Sequence, residues 1–404
     1  MNDVHRRMRH MFFMLLNLIV YPLSKLYPRS HKVWVFGAAD NEFTGNPKYL
    51  FLWVSESRPD IQAVWISGNR KTCHAIRENG YRACPRWSFA GILAAVRAKV
   101  YFFGHYSEDV NLPFSGGATL VNLWHGVGLK AVNLGLPQGR TSSVQKFANS
   151  LTGYLRHLKY LIRPDYIVTT SDFMQKHFMS QFLAKADQCP KLGYPRLDCV
   201  VVPKLGLASE KIDRSLGFKW NKPEHSDIYI YVPTSRDSGR DFLHEAIPDV
   251  ERLSTALAKR NAILYIKPHP RTLVPSSFKN ADNIRMWPRG IDFQTYLHEF
   301  DVLITDYSSV LYDYLATGAT GAILYTFDME EYLSLDRGLL YPFEENTAGA
   351  RARDFQELCF LLEHGVPDNE TTRQQIDEIR DKFWGGSPSP ASPAVVKFVE
   401  ANLH

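Results

Sequence analysis

Val302-Leu303-Ile304-Thr305-Asp306-Tyr307-Ser308-Ser309 is the stretch whose reading decides the fold. Three apolar residues read as a buried strand, a polar turn follows, and a helical pattern runs on from Ser308 to Ala316, ending near Gly318. A second stretch has a related plan: the apolar run Ala262 to Ile266 leads straight into Lys267-Pro268-His269-Pro270-Arg271. Both polar segments are therefore loops at the carboxyl ends of strands, which is where open α/β sheets bind ligands. One loop brings small hydroxyls to a helix start, where free N–H groups and the helix dipole favour an anion. The other brings a histidine and two cations. Together they predict a phosphate-bearing, nucleotide-linked ligand.

Outward from these loops, strands and helices alternate. Ile228 to Val232, Ile263 to Ile266, Val302 to Ile304 and Ala322 to Tyr325 read as strands, with helices from Asp249 to Lys259 and from Ser308 to Ala316. The first half repeats the plan, with strands at Val33 to Phe36, Ala63 to Ile66, Val100 to Phe103, Thr119 to Asn122 and Tyr166 to Thr169. Helical patterns at Pro47 to Ser55 and Phe89 to Ala98 lie between them. Such βαβ alternation predicts mostly parallel sheets with helices on their faces. At 404 residues two domains are expected. The pattern loosens between Lys204 and Ser226, so the domains are expected at 31–210 and 226–384, facing each other across a cleft. The segment 385–404 opens with a Gly, Ser and Pro-rich linker and ends in an apolar helix expected to cross back onto the first domain.

The formal charge is +5, but residues 1–30 hold five cations against Asp3, which leaves about +1 for the body. A nucleic-acid-binding surface spread over the body is disfavoured. The five cysteines are scattered and make no Cys-x-x-Cys pair, so neither a disulfide framework nor a zinc site is expected. With no Asp-x-Asp pair at a strand end, no His-Glu-x-x-His and no Walker-type loop, no metal or cofactor is expected either. Met11 to Tyr21 is almost wholly apolar, follows a basic cluster and stops at Pro22. It falls short of the about 20 apolar residues a spanning helix needs. Residues 1–30 thus read as an uncleaved helix lying in the inner leaflet, its basic end near anionic lipids. The alternative is a helix packed on the protein's own surface.

Further loops follow other strands. Trp124-His125-Gly126-Val127-Gly128-Leu129-Lys130 comes just after Thr119 to Asn122. There His125 suits a general base, the glycines allow close backbone approach, and Lys130 suits phosphate. Pro233-Thr234-Ser235-Arg236 follows the first strand of the second domain, with hydroxyls and an arginine suited to a nucleobase, ribose or phosphate; the alternative is a capped turn with Arg236 paired to Asp237. Asp313 falls one helical turn after Ser309 and is expected to face the same ligand. Tyr312 and Tyr314 read as packing residues, and Ser171-Asp172 as a helix cap.

In order, Asn46-Pro47-Lys48-Tyr49, Leu123-Trp124-His125-Gly126, Thr170-Ser171-Asp172, Gly193-Tyr194-Pro195-Arg196, Pro233-Thr234-Ser235-Arg236, Lys267-Pro268-His269-Pro270 and Thr305-Asp306-Tyr307-Ser308-Ser309 resemble one family. It is the CDP-glycerol glycerophosphotransferases, the primases and polymerases of teichoic acid and related capsule synthesis. The resemblance covers about residues 33–325. It implies a GT-B-like pair of Rossmann-type domains, acceptor side first and CDP-donor side second. It also implies peripheral attachment to the cytoplasmic face of the membrane and a lipid-linked or capsular glycan as acceptor. His125 would match the first essential histidine, a base for the acceptor hydroxyl, and His269 the second, near the donor diphosphate. Arg196, Pro233, Thr234, Lys267, Ser308 and Ser309 would match donor-binding positions, and Asp313 the acid that holds the glycerol hydroxyls. Gly126, Val127, Gly128, Leu129, Arg236, Pro268 and Arg271 complete the expected substrate contacts.

Two places depart from the family pattern: Val127-Gly128 stands where Thr-Pro is frequent, and Trp384-Gly385-Gly386-Ser387 replaces an Asp-Gly-containing motif. Without long extensions, the chain is expected to add one or a few units. The competing readings are a CDP-ribitol phosphotransferase, a GT-B glycosyltransferase using a nucleotide sugar, and an assembly subunit that has lost catalysis.

Overall fold

A computed structural model describes residues 16–130, 162–236, 238–240, 242–268, 272, 278, 281–336, 338–386 and 390–403. The chain divides into two compact units. The first holds Met1–His125, Val132–Phe218 and Ser389–His404, and the second Gly126–Ala131 and Lys219–Pro388.

The first unit is built on a parallel sheet of β1 (Ser30–Phe36), β2 (Gln62–Ser67), β3 (Ala83–Pro85), β4 (Ala98–Phe103), β5 (Thr119–Asn122) and β6 (Tyr166–Ile167), in the order β3-β2-β1-β4-β5-β6. Both faces are covered, which is why the strands read as unbroken apolar runs. Val33 and Val35 pack on one side with Val64, Ile66, Tyr101 and Phe103. On the other side Phe36 stacks on Phe102 (4.9 Å) and meets Phe51 edge-on, from the helix Gly45–Ser57. The order places a switch point between β1 and β4, where the chain turns to opposite sides of the sheet and a crevice opens beyond the carboxyl ends. Gly37 ends β1 there: a Cβ on it would stand 2.6 Å from the Asp109 carbonyl oxygen, so the loop after β4 can approach only a glycine. Ser171 caps the helix Asp172–Phe182, its Oγ accepting the Met174 N–H (3.2 Å). The terminal helix Ala391–Ala401 also belongs to this unit. Its start is fixed by Asp198, whose carboxylate accepts the Ala391 and Ser392 N–H groups at 2.7 and 2.8 Å.

The second unit repeats the design with β7 (Asp227–Val232), β8 (Ala262–Ile266), β9 (Ile284–Met286), β10 (Val302–Thr305), β11 (Ala322–Tyr325) and β12 (Ala350–Ala352). All pair in parallel, in the order β12-β11-β10-β7-β8-β9, with the switch point between β7 and β10. Tyr229, Tyr231, Leu264, Ile266 and Ile304 pack with Leu253, Leu257, Leu358 and Leu362 from the helices Val250–Ala258 and Phe355–His364. Val302–Thr305 is therefore the switch-point strand, with Asp306 to Ser309 as its loop.

Among the described residues no helix is long and apolar enough to cross a membrane. Residues 16–24 form a helix whose inner side is held by Ser24, whose Oγ accepts the Gly116 N–H (3.0 Å). Just beyond, Arg29 donates to the carbonyls of Ala95, Ala98, Phe114 and Gly116. Leu18, Ile19, Leu23, Leu26 and Tyr27 remain exposed. Residues 1–15, with the first five residues of the apolar run from Met11, lie outside the described residues.

Candidate functional site

In the first unit the candidate chemistry gathers just beyond β4 and β5. Asn122 ends β5, and its Oδ1 accepts the Trp124 N–H (2.8 Å), turning the chain sharply. Trp124 takes a left-handed backbone (φ 53°), a strained conformation for an aromatic residue. It is held there by Asn46, whose amide donates to the carbonyls of Leu123 and Trp124 (2.9 Å each) while its Oδ1 accepts the Arg196 N–H (3.1 Å). One buried asparagine thus ties together three of the sequence motifs. The Trp124 ring meets Phe178 and Phe182 edge-on, so the turn is also packed from below.

The turn leaves His125 exposed. Its Nδ1 lies 3.4 Å from the Gly104 carbonyl oxygen. A carbonyl only accepts, so this contact calls for a proton on Nδ1. Arg196 Nη1 donates to the His125 carbonyl (2.5 Å), and the guanidinium lies over the Tyr194 ring. Arg196 is only 3% exposed. Its bond to that carbonyl fixes the backbone of the histidine.

Asp109 closes the loop after β4. Its Oδ2 accepts the N–H groups of His105 (2.9 Å) and Gly104 (3.3 Å). Burial pushes its carboxyl up to about 7, against the pull of those N–H donors. The folded state therefore keeps a proton that the unfolded chain gives up near pH 4. This contribution is complete below about pH 4 and is lost as the pH rises towards 7, by roughly 3–4 kcal/mol. In denaturant titrations from pH 4 to 7.5, Asp109→Asn is expected to remove that fall from the first unit's stability.

In the second unit the loops after β7 and β10 are joined by one carboxylate. Asp306 Oδ1 accepts the N–H groups of Thr234 (2.9 Å) and Tyr307 (2.6 Å), and its Oδ2 pairs with Arg236 Nη1 (3.0 Å). Arg236 also makes a two-pronged pair with Asp328, through Nε (2.7 Å) and Nη2 (2.9 Å), and donates to the Thr234 carbonyl (2.6 Å). Phe242, Tyr307 and Tyr332 surround it. Its side chain has no exposed surface, and through these pairs it holds the loops after β7 and β10 together. The paired carboxylates outweigh burial and hold the guanidinium charged.

The half-buried polar groups at these strand ends are Thr234, Lys130, Lys267, Ser308 and Ser309. Lys130 Nζ lies 3.3 Å from Thr234 Oγ1 and over the Tyr332 ring. Its segment is pinned by the Leu340 N–H donating to the Leu129 carbonyl (2.8 Å) and by the buried side chains of Val127 and Leu129. Those two residues can meet a ligand only through their backbone. A Cβ on Gly128 would be 3.5 Å from the Ser309 Cβ, so the glycine backbone runs alongside the hydroxyl pair. Gly126 is buried at the start of this segment, and Pro233 joins β7 to Thr234. Ser308 Oγ accepts the Val310 N–H (3.4 Å) at the start of the helix Val310–Ala316. Lys267 extends β8, its N–H donating to the Tyr231 carbonyl, and its ammonium lies 4.9 Å from the Phe293 ring centre, with Pro268 next in the chain.

Asp313 is only 1% exposed and accepts from Gln294 Nε2 (2.9 Å). It serves an internal bond in this structure. Tyr312 and Tyr314 are buried packing residues, as their positions on the helix suggested. His269 and Arg271 lie outside the described residues. Sequence reading missed His105 and Asp109, because a lone histidine and a lone acid after a strand carry no motif.

Two Rossmann-type sheets with polar loops at their switch points define a two-domain transferase of GT-B type. The chain belongs to the CDP-glycerol:poly(glycerophosphate) glycerophosphotransferase family, whose model matches residues 19–401. It is a CDP-glycerol glycerophosphotransferase. Its fold is similar to that of the wall teichoic acid polymerase TagF, with a TM-score of 0.72 at 19% identity over 99% of this chain and 97% of that one. A histidine-to-asparagine variant of TagF soaked with CDPG for 15 minutes aligns over the whole of both chains, with a TM-score of 0.70 and 19% identity. The glycotransferase of kitacinnamycin is a more distant likeness, with a TM-score of 0.50 and 10% identity over 93% of this chain and all of that one. No protein of curated function matches the chain by sequence.

Proposed function

We propose that His125 is the general base, and that Thr234, Lys267, Ser308 and Ser309, with Lys130, hold the diphosphate of CDP-glycerol. The observation that carries this reading is the His125 ring, exposed and with Nδ1 committed to the Gly104 carbonyl. The acceptor hydroxyl gives its proton to Nε2, and its oxygen attacks the distal phosphorus of the donor. A new P–O bond forms as the bond to the bridging oxygen breaks, and CMP leaves with the electron pair. Cations and fixed hydroxyls meet the charge that gathers on the equatorial oxygens. His269 is assigned to the same diphosphate, as the family resemblance implies. The main chain of Gly126 to Leu129, with Pro233, Pro268 and Arg271, completes the proposed donor surroundings. The segment 1–30 is the proposed attachment segment, 31–210 the acceptor-side domain and 226–384 the donor-side domain, with 385–404 returning to the first.

The acceptor we propose is a lipid-linked or capsular glycan, reached by a chain resting peripherally on the cytoplasmic face of the membrane. In support, Ile19, Leu23 and Leu26 are 58, 59 and 81% exposed beside a basic amino terminus, while Ser24 and Arg29 fix the helix from the other side. At about 1 kcal/mol for each half-buried aliphatic chain, Ile19→Ser, Leu23→Ser and Leu26→Ser together should weaken binding to anionic vesicles about 100-fold. Thermal melting should be unchanged, because none of the three is buried. Unaltered co-sedimentation would remove this segment as the attachment site. Donor choice is tested by turnover of CDP-glycerol, CDP-ribitol and UDP-sugars side by side, with CDP-glycerol expected to be used and UDP-sugars not.

A further inference from the structure

β3 is the outer strand of the first sheet, and the helix that follows it, Phe89–Arg97, packs on the face that carries Val33, Val64 and Cys84. The helix does not close that face. A groove of about 460 Å³ runs between the strands and the helix, with Val33, Val64, Cys84, Leu93 and Ala94 among its apolar walls. That volume falls within the range of about 300–1,000 Å³ typical of small-molecule sites. The walls are fixed at several points. At Gly91 the helix rests on the edge strand, because a Cβ there would collide with the Pro85 carbonyl oxygen. Ser88 Oγ accepts the Gly91 N–H (3.1 Å), and Arg29 donates to the carbonyls of Ala95 and Ala98 (3.0 and 2.8 Å) at the far end.

The mouth of the groove is basic. Arg77, Arg82 and Arg97 line it and all three are exposed, while no acidic side chain lines it among the described residues. Arg77 Nη1 donates to the Ala83 carbonyl (3.1 Å), and Arg82, two residues before Cys84, shares that residue's face of the strand. Just outside, Phe89 is 83% exposed and Trp87 46%. Val33 and Gln62 bring the groove to the amino ends of β1 and β2, the edge from which Arg29 and the amino-terminal helix also depart.

We propose that this groove binds one anionic phospholipid of the membrane surface, with an acyl chain along Val64, Cys84 and Leu93 and the phosphate met by Arg82 and Arg97. This rests on the reading of the chain as membrane-attached and adds a lipid-selective site to the apolar amino-terminal helix. The apolar walls take any acyl chain, so selection falls to the head group. Three guanidinium groups without a counter-charge favour a negative head, and their forked donors match phosphate oxygens. A zwitterionic head brings its own cation against them. The occupant is distinct from the lipid of the acceptor, because β4 stands between Arg97 and the Gly104 carbonyl at His125. Its six residues, at about 3.3 Å each, span roughly 20 Å.

The full chain, an Arg82→Gln/Arg97→Gln variant and Ala90→Trp test the proposal; all three positions are exposed, and each variant is first checked for an unchanged thermal transition. The probes are dioctanoylphosphatidylglycerol held below its micelle concentration, the phosphatidylcholine of the same chain length, and inorganic phosphate. One phosphatidylglycerol is expected to bind per chain, phosphatidylcholine at least about tenfold more weakly, and phosphate is not expected to displace the lipid. The double variant should weaken binding about 10- to 100-fold, and Ala90→Trp, which sets a ring in the groove, at least about tenfold. Absence of binding to the folded wild-type chain overturns the proposal. So does wild-type affinity in the double variant, or equal binding of the two lipids. The Ile19→Ser, Leu23→Ser and Leu26→Ser protein separates the groove from the helix: it should lose vesicles yet keep its affinity for the monomeric lipid. Loss of monomer binding in that protein would place the lipid on the helix and overturn the groove, whereas a wild-type chain that binds the monomer but no vesicle keeps the groove and loses the attachment reading.

Discussion

His125→Ala is expected to lower kcat for CMP release from CDP-glycerol about 10³-fold, with KM for the donor changed by less than about threefold. A positioned general base contributes about 10²–10⁴ in rate, and the loss falls in the middle of that range because the cations and hydroxyls of the donor loops are untouched. The loss appears in kcat because the donor contacts proposed here lie on other loops. His125→Gln is the stricter control, because it keeps a polar side chain on the Trp124 turn. Activity within tenfold of wild type in both variants would remove His125 from the chemistry.

Arg236→Ala is expected to have the largest effect on stability, about 3–5 kcal/mol in the second unit. The substitution leaves Asp306 and Asp328 buried without their cation, and it is this unpaired charge, more than the lost pair itself, that sets the size. Both carboxylates also work elsewhere. Asp306 holds the N–H groups of Thr234 and Tyr307, and Asp328 accepts from Arg240 and from the Tyr307 hydroxyl. Loosening them frees the loop after β7 and the loop after β10 together, so donor affinity should fall with stability. A chain of two units melts in more than one step, so the second unit's transition has to be followed on its own, for instance by Trp220 and Trp287 fluorescence. If that transition does not move, Arg236 is not what holds the switch-point loops.

The sequence made the sheets legible because the strands are buried on both faces. Ala322 to Tyr325 is the strand read from the sequence, and Ile228 to Val232 differs from β7 by one residue. The edge strands β3, β9 and β12 have three residues each, too few to show a pattern against their surroundings, and pairing with a longer neighbour makes them. Tyr166 to Thr169 read as four strand residues but pairs only over Tyr166–Ile167, after which Thr169 bridges to Lys191. At the site, loop position was legible and side-chain direction was not. Arg196 and Arg236 stand in polar loops where an arginine looks ready for phosphate, yet the carbonyl and carboxylates that take them up are 70 to 92 positions away along the chain. Asp313 was placed on the right helical turn, but its partner Gln294 sits in a short 3-10 helix that the sequence reading did not find. Asn46 was visible only as one residue of a motif. Its function as a clamp depends on three segments meeting, which no single segment records.

The most direct measurement is CMP release from CDP-glycerol by the purified chain, with glycerol phosphate incorporation into membrane glycan followed in the same reaction. The structure and the family predict CMP release that depends on acceptor, matches incorporation one for one, and is lost in His125→Ala. Folded protein that incorporates no glycerol phosphate across a panel of lipid-linked and capsular glycans, or that releases CMP equally well from His125→Ala, would contradict the account.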